Sequence, residues 1–308
     1  MSRALAWLVQ NHYVRHEKFR QLGLSLQRAA EAEGLNLQIW GHSQLAAHFP
    51  LGLSAEGGAP SWPQGLERPR FVLFWDKDLH LARRLELAGL RLFNTSRAIA
   101  LCDDKAWTHL ELAGASIPMP EIILGPLNFR PETYPVAWAQ DYLDLASARL
   151  GYPLVLKTCR GSFGQGVYLL QDREALEAQI EKLGKQDFLL QAFVASSRGR
   201  DLRLQMVGDQ AVAWAARFNE EDFRSNVTNG GRMERTSLHP QALELGRRVM
   251  SLLGLDFAGL DLLEDGRGSY LLCEVNSNAH FINLDACCGT DTGRAIMRYC
   301  KAQMGIST

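Results

Sequence analysis

Two apolar runs near the C-terminal end, Phe257–Asp265 and Tyr270–Asn276, each carry an acid among large aliphatic neighbours. The short Gly266–Ser269 stretch between them predicts an antiparallel hairpin. Pairing outward from that loop sets Asp261 opposite Glu274. Asn276, two residues on, shares the Glu274 face. Facing carboxylates repel. The flanks (Phe257, Leu260, Leu262, Leu263, Leu271, Leu272, Val275) are apolar, so the acids do not sit on a solvated edge. A divalent cation relieves the repulsion, and three oxygen donors completed by water and phosphate oxygens suit magnesium. The alternative, an acidic hairpin paired with nearby arginine, ranks below it.

The N-terminal third alternates in another way. Leu5–Val9 is a short apolar strand, too short for a signal segment. A helix over about Glu17–Glu33 puts Phe19, Leu22, Leu26 and Ala29–Ala30 on one face and stops at Gly34. Leu35–Trp40 alternates as a strand, and a weak helix follows near Ser43–His48. Strand–helix–strand predicts a parallel sheet with helices on its faces. Pro50–Pro69 reads as a mobile loop. Phe71–Trp75 is a buried strand, Asp76–Asp78 caps a helix over Leu79–Ala88, and a short strand near Arg91–Phe93 and a helix from Ser96 close the unit. Further on, the pattern predicts strands over Glu121–Leu124, Pro153–Lys157, Val167–Leu170, Phe188–Val194, Leu202–Val207 and Ala211–Arg217. Helices are predicted over Gln140–Leu150, Arg173–Leu183, about Gln241–Leu253 and about Thr292–Ala302, with another around Trp107–Leu112.

Composition narrows the function. The chain has 308 residues, 33 Lys plus Arg and 34 Asp plus Glu, a formal charge of −1 that argues against general nucleic-acid binding. Hydrophobic residues at 46% and charged residues at 22% exclude wholesale disorder. No apolar run approaches the ~20 residues that span a bilayer. The six cysteines form no C-x-x-C pair and read as reduced, mostly buried thiols of a cytoplasmic protein.

A second constellation is Lys157-Thr158-Cys159-Arg160-Gly161-Ser162-Phe163-Gly164-Gln165-Gly166-Val167. Glycines let backbone N–H groups close on phosphate oxygens, and the lysine adds a point charge. No G-K-[ST] closes the stretch and no helix follows, so it is neither a P-loop nor a dinucleotide fingerprint. Alone it reads equally as a hairpin turn. The third is an arginine series, Arg198, Arg200, Arg203, Arg217, Arg224, Arg232 and Arg235, with no intervening lysine. Arginine favours bidentate contact with carboxylate or phosphate. Six acids lie in the same window, so two or three of these arginines are expected to be functional.

In order, these parts resemble the ATP-grasp carboxylate–amine ligases, specifically the RimK-type α-L-glutamate ligases. The resemblance runs over about Ala100–Ala302. It includes Asp103-Asp104-Lys105, the Lys157/Gly161/Gly164/Gly166 flap, Gly199–Arg203, Asp222–Asn226, Asn229–Gly231, Ala258–Asp261 and Glu274-Val275-Asn276. Phe74–Asp78 looks like the preceding domain of bacterial members. The resemblance implies an α/β chain, α+β in its C-terminal part. Its domains would be a pre-ATP-grasp parallel-sheet domain (1–100), a central subdomain with the flap (101–190) and a C-terminal subdomain with the metal site (191–308).

It also implies roles. Lys105 and Lys157 would hold ATP phosphates under the flap Gly161, Ser162, Gly164 and Gly166. Gln191, Ala192, Phe193 and Val194 would border adenine, and Asp201 the ribose, with Arg203 beside it on the same strand face. Arg217, Arg224 and Asn226 would act at the triphosphate and the activated carboxylate. Asp261, Glu274 and Asn276 would bind two Mg²⁺ ions, with Mn²⁺ as a substitute. The activity implied is ATP-dependent joining of a carboxylate to an amine, an amino acid such as glutamate, through an acyl phosphate. The alternatives are an ATP-grasp ligase for a peptide, cofactor or small metabolite, and a non-catalytic ATP-binding regulatory module. A homo-oligomer is the family expectation. Two positions depart from the family pattern: Ala192 replaces a glutamate, implying altered nucleotide affinity, and Ser277–Phe281 replaces Ala-Ser-Pro-Gly. His280 there either meets a substrate carboxylate or packs.

Overall fold

The computed structural model describes residues 3–49, 62–133, 136, 139–161, 164–225 and 230–306. Three sheets organise them. The first is parallel, in the order β2 (Leu35–Gly41), β1 (Ala4–Gln10), β3 (Phe71–Trp75), β4 (Leu92–Phe93). Helices α1 (Glu17–Ala32), α2 (His42–His48) and α3 (Leu79–Leu87) connect its strands. β1 and β3 are buried on both faces, as parallel strands covered by crossover helices must be. Asp78 caps α3 by accepting from Leu81 N, as its position after the strand predicts. Residues 50–61 of the proline-rich stretch lie outside the described set. Beyond them Trp62 stacks on Trp7 and meets Phe49 edge-on.

Helices α4 (Ser96–Asp103) and α5 (Lys105–Ala113) join this unit to the rest, capped by Thr95 and Asp104. The second sheet is antiparallel: β5 (Ile122–Leu124), β8 (Phe188–Ala192), β6 (Leu154–Thr158), β7 (Val167–Leu170), with α6 (Gln140–Leu150) and α7 (Arg173–Leu183) completing its core. The third is also antiparallel: β11 (Arg232–Arg235), β10 (Gln210–Phe218), β9 (Arg200–Val207), β12 (Phe257–Glu264), β13 (Tyr270–Asn276). Helix α8 (Pro240–Leu253) packs Leu245, Val249, Met250 and Leu253 onto one face of it and ends at the left-handed Gly254. Two short pieces follow, α9 (Ile282–Cys288) and α10 (Thr292–Gln303).

The first and third sheets share a core. Val207, Phe257 and Phe281 join Leu8, Phe71, Leu73 and the inner faces of α1 and α10 in one buried cluster. Trp75, at the C-terminal end of β3, stacks on Phe257 with ring centroids 5.1 Å apart. The crevice at the carboxyl ends of the first sheet therefore opens onto the third sheet, where ligands of open α/β sheets usually sit. All six cysteines are free thiols, four of them buried. Among the described residues no helix is long and apolar enough to cross a membrane.

Candidate active site

The antiparallel ladders of the third sheet set charges in a row. Asp201 and Arg203 lie two apart on β9 and share a face. Arg217 on β10 pairs across from Asp201, and Asp261 on β12 across from Arg203. Glu274 on β13 pairs across from Asp261, as the hairpin reading predicts. The ladder reaches that pairing by an unexpected route. The loop is one residue longer, pairing Glu264 with Tyr270, and a bulge at Cys273 restores the register at Asp261. The bulge brings Cys273 and Glu274 into the lining of the same cleft.

The facing acids are balanced by cations. Arg217 Nε donates to Asp201 Oδ1 at 2.7 Å, and its Nη2 also bonds Asp201 and reaches Asp261 Oδ1 at 2.9 Å. Arg203 Nη1 donates to the same Asp261 Oδ1 at 2.5 Å. Lys105 Nζ stands 3.5 Å from Glu274 Oε1. Burial raises the Asp201 carboxyl above the ordinary range in spite of Arg217. Asp261 is equally buried, yet its two arginines outweigh the burial and hold it low. The arginine pairing weighed against a metal at Asp261 is thus present. Asp261 Oδ2 has no hydrogen-bond partner among the described residues, and Asp261 and Glu274 line one cleft. The donor set, two carboxylates and the Asn276 amide, is all oxygen and fits a hard cation. Among the described residues no three His, Cys, Asp or Glu side chains come together as a metal group.

Above this row lies a cleft lined by residues of the second and third sheets. Lys157, the fourth residue of β6, enters it 7% exposed. Its ammonium meets Cys273 Sγ at 3.4 Å and no carboxylate within 4.0 Å among the described residues. Lys105, at the start of α5, is 8% exposed and donates to the Gly161 carbonyl at 3.2 Å. Arg224 Nη1 donates to the Gly164 carbonyl at 2.7 Å. Two carbonyls of the glycine segment are therefore held by cations that also line the cleft.

Of the residues singled out from the sequence, Lys105, Lys157, Gly161, Gly164, Gln191, Phe193, Val194, Asp201, Arg217, Arg224, Asp261 and Glu274 line this cleft. Ser162 and Asn226 lie outside the described residues. Gly166 and Ala192 stand in the adjoining segments without lining it; the Ala192 N–H is bonded to the Glu121 carbonyl. Arg203 and Asn276 line a second cavity instead, which shares Asp261 and Glu274 with the first. Of the arginine series, Arg200, Arg217 and Arg224 reach the first cleft, while Arg232 pairs with Glu220 and Glu234 at the surface. Phe223 and Ser225 also line it, named from the sequence only within the Asp222–Asn226 motif, and so do Leu263 and Cys273, for which the sequence indicated no place in the site. Only the position of Cys273 beside Glu274 could have signalled it.

Gly166 makes a testable point. Its φ is +70°, and a Cβ there would stand 2.1 Å from Thr158 Oγ1. Gly184 has a similar φ of +61° with open space around it. Gly184→Ala should cost about 1–2 kcal/mol from backbone conformation alone. Gly166→Ala should cost more and also weaken nucleotide binding, since the segment must move. Denaturant midpoints and nucleotide titration of both variants check this ordering; equal costs with unchanged binding would refute it.

A family model described as a RimK-like ATP-grasp domain matches residues 102–300. N-acetylaspartylglutamate synthase A of Homo sapiens is 34% identical over 229 residues, 73% of this chain and 56% of that protein. β-Citrylglutamate synthase B of Danio rerio is 36% identical over 220 residues, 70% of this chain and 52% of that one. The chain spans about half the length of these two relatives. A probable α-L-glutamate ligase of Stenotrophomonas maltophilia is 34% identical over 220 residues, 70% of this chain and 71% of that one. The fold matches the crystal structure of a RimK domain ATP-grasp protein from Sphaerobacter thermophilus, with a TM-score of 0.68 at 22% identity over 96% of this chain and 99% of that one. It also matches D-alanine–D-alanine ligase from Bacillus anthracis, with a TM-score of 0.68 at 14% identity over 98% of each chain. With the matched segment containing every glycine, lysine, arginine and acid described above, the chain belongs to the RimK-like ATP-grasp family.

Proposed function

We propose that the chain activates a carboxylate with ATP and joins it to an amine, releasing ADP and phosphate. The observation that carries this is Lys157, a nearly buried cation with no protein carboxylate within ion-pair range among the described residues. Leaving a charge buried and uncompensated costs several kcal/mol. A triphosphate arriving in the cleft supplies the missing anion. Lys105 and Arg224, which already grip the glycine segment, would gain the same ligand and close the segment over it.

The row on the third sheet then serves the chemistry. The substrate carboxylate attacks the γ-phosphoryl group, the bond to the β-phosphate oxygen breaks, and ADP leaves. An acyl phosphate remains, and the closed glycine segment keeps water from it. Arg217, fixed by Asp201 and Asp261, cannot swing away and presents a preorganised positive charge. Asp261, Glu274 and Asn276 would hold Mg²⁺, two ions with Mn²⁺ as a substitute, and the metal supplies neutralisation of phosphate charge when bound. An amine then attacks the acyl carbon and phosphate leaves. The names of all three relatives above contain glutamate, and we take L-glutamate as the amine. The carboxylate partner is a small acid that fits the second cavity. The free thiols suit a reducing, cytoplasmic setting.

The test is ADP release from Mg·ATP with L-glutamate and either citrate, N-acetylaspartate or short peptides, with products read by mass. The expected result is ADP formation that needs both substrates, with a new species at their summed mass less one water. ATP binding without ADP in every mixture would overturn the ligase reading in favour of a regulatory module.

A further inference from the structure

We infer that His280 is the base that takes a proton from the incoming amine, a role that rests on the ligase reading above. The second cavity shares Asp261 and Glu274 with the nucleotide cleft and is also lined by Phe19 of α1, Trp75 of β3 and Lys77 just after that strand. The segment after Asn276 forms its floor. Three hydrogen bonds tie that segment to the first unit. Asn94, fully buried, donates to the Ser277 carbonyl at 3.0 Å, Asn278 Nδ2 donates to the Asp76 carbonyl at 2.9 Å, and His280 Nε2 lies 3.2 Å from the Lys18 carbonyl.

That last contact fixes the tautomer. A carbonyl oxygen only accepts, so Nε2 carries the proton and Nδ1 of the neutral ring carries the lone pair. Nδ1 has no partner among the described residues and is not sealed from solvent. The other titratable groups of the cavity are engaged. Asp103 bonds Lys77, Asp261 bonds Arg203 and Arg217, and Glu274 faces Lys105. Burial pushes the Cys102 thiol up to about 12. His280 remains. Burial, with the positive charges of Lys18 and Arg203, holds its imidazole below the usual histidine range. With its single N–H given to the Lys18 carbonyl, the neutral ring has no donor left for a substrate carboxylate. It can accept from an ammonium group.

The step balances as follows. The α-ammonium group of the amino acid gives one proton to His280 Nδ1. The freed lone pair forms the C–N bond to the acyl carbon. The C–O bond to phosphate breaks with its electron pair on the phosphate oxygen, which takes the second nitrogen proton. The imidazolium then releases its proton to solvent.

The test compares two acceptors of the same acyl phosphate. Hydroxylamine is neutral at pH 7 and needs no base; L-glutamate arrives as an ammonium ion. With Mg·ATP and citrate or N-acetylaspartate, His280→Gln should lower the ratio of glutamate amide to hydroxamate by about 10²–10⁴, the usual worth of a general base. Its amide rate should climb with pH toward ionisation of the free amine, whereas the unmodified protein should be flat above neutrality. An unchanged ratio, or amide and hydroxamate falling together, would overturn the role of base. Absence of hydroxamate from the unmodified protein with citrate, N-acetylaspartate and the short peptides alike would instead overturn the ligase reading beneath it.

Discussion

Replacing Arg217 by methionine should lower the unfolding free energy by about 3–5 kcal/mol, the usual cost of removing one partner from a buried ion pair. Arg217 is 4% exposed and lies between Asp201 and Asp261, both of which it bonds. Without it Asp201 loses its guanidinium partner and Asp261 keeps only Arg203. The double variant Arg217→Met/Asp201→Leu removes one charge of each sign and leaves the Arg203–Asp261 pair, so it should regain most of the loss. The sign of the pH dependence follows from the same charges. Asp261 is held low by its arginines, so its contribution is present above the unfolded carboxyl range and is lost as pH falls through its folded value. Asp201 is raised by burial, so folding is favoured where it is protonated and disfavoured as pH rises through that range. Removing Arg217 raises both carboxyls. The gap between variant and unmodified protein should therefore narrow as pH falls from about 8 to about 5 in denaturant titrations. A gap that widens with acid would contradict the arrangement.

The second large effect separates stability from activity. Lys157→Met removes a buried charge that has no counter-ion among the described residues and replaces it with a side chain of similar length. Its denaturation midpoint should rise, because an isolated charge no longer has to be desolvated. Its turnover should fall by about 10²–10³, the usual cost of removing one preorganised group from developing charge. Stability and activity losses that run together would mean that Lys157 serves packing and not phosphate.

The difference between what the sequence discloses and what it hides lies in the range of the interactions. Caps and periodicity are local. Asp78, Gly254 and the 3.6-residue stripe of α8 involve neighbours within a turn or two, so those elements were legible. The Asp261–Glu274 pairing was legible because a hairpin is local as well, although the bulge at Cys273 was not. Helix α9 was missed: it spans seven residues, has no capping side chain, and is held by packing of Leu284 and Cys288 under β10. Strand β11 reads as a charged stretch, since its pairing to β10 places Arg232 and Glu234 in solvent. Around Trp107 and Leu110 the apolar residues mark the helix but not its buried face; both are largely exposed, while Lys105, Thr108, His109 and Leu112 turn inward.

The site shows the same division. Residue types and their order point to the cleft, and most of the named side chains do converge there. The alternation that places Arg217 between Asp201 and Asp261 needs three strands assembled from residues 16 to 60 positions apart, which periodicity cannot supply; the strand register supplies it. The second cavity is hidden further still. Its floor is set by Asn94 reaching Ser277 and by His280 reaching Lys18, contacts between opposite ends of the chain.

The most direct test of carboxylate activation is isotope transfer. A carboxylate substrate labelled with ¹⁸O in both oxygens, incubated with Mg·ATP, L-glutamate and the protein, should release phosphate carrying one labelled oxygen for every amide formed. That result requires the carboxylate oxygen to have bonded to phosphorus. Unlabelled phosphate alongside labelled AMP, or amide formed with no label leaving the carboxylate, would contradict it.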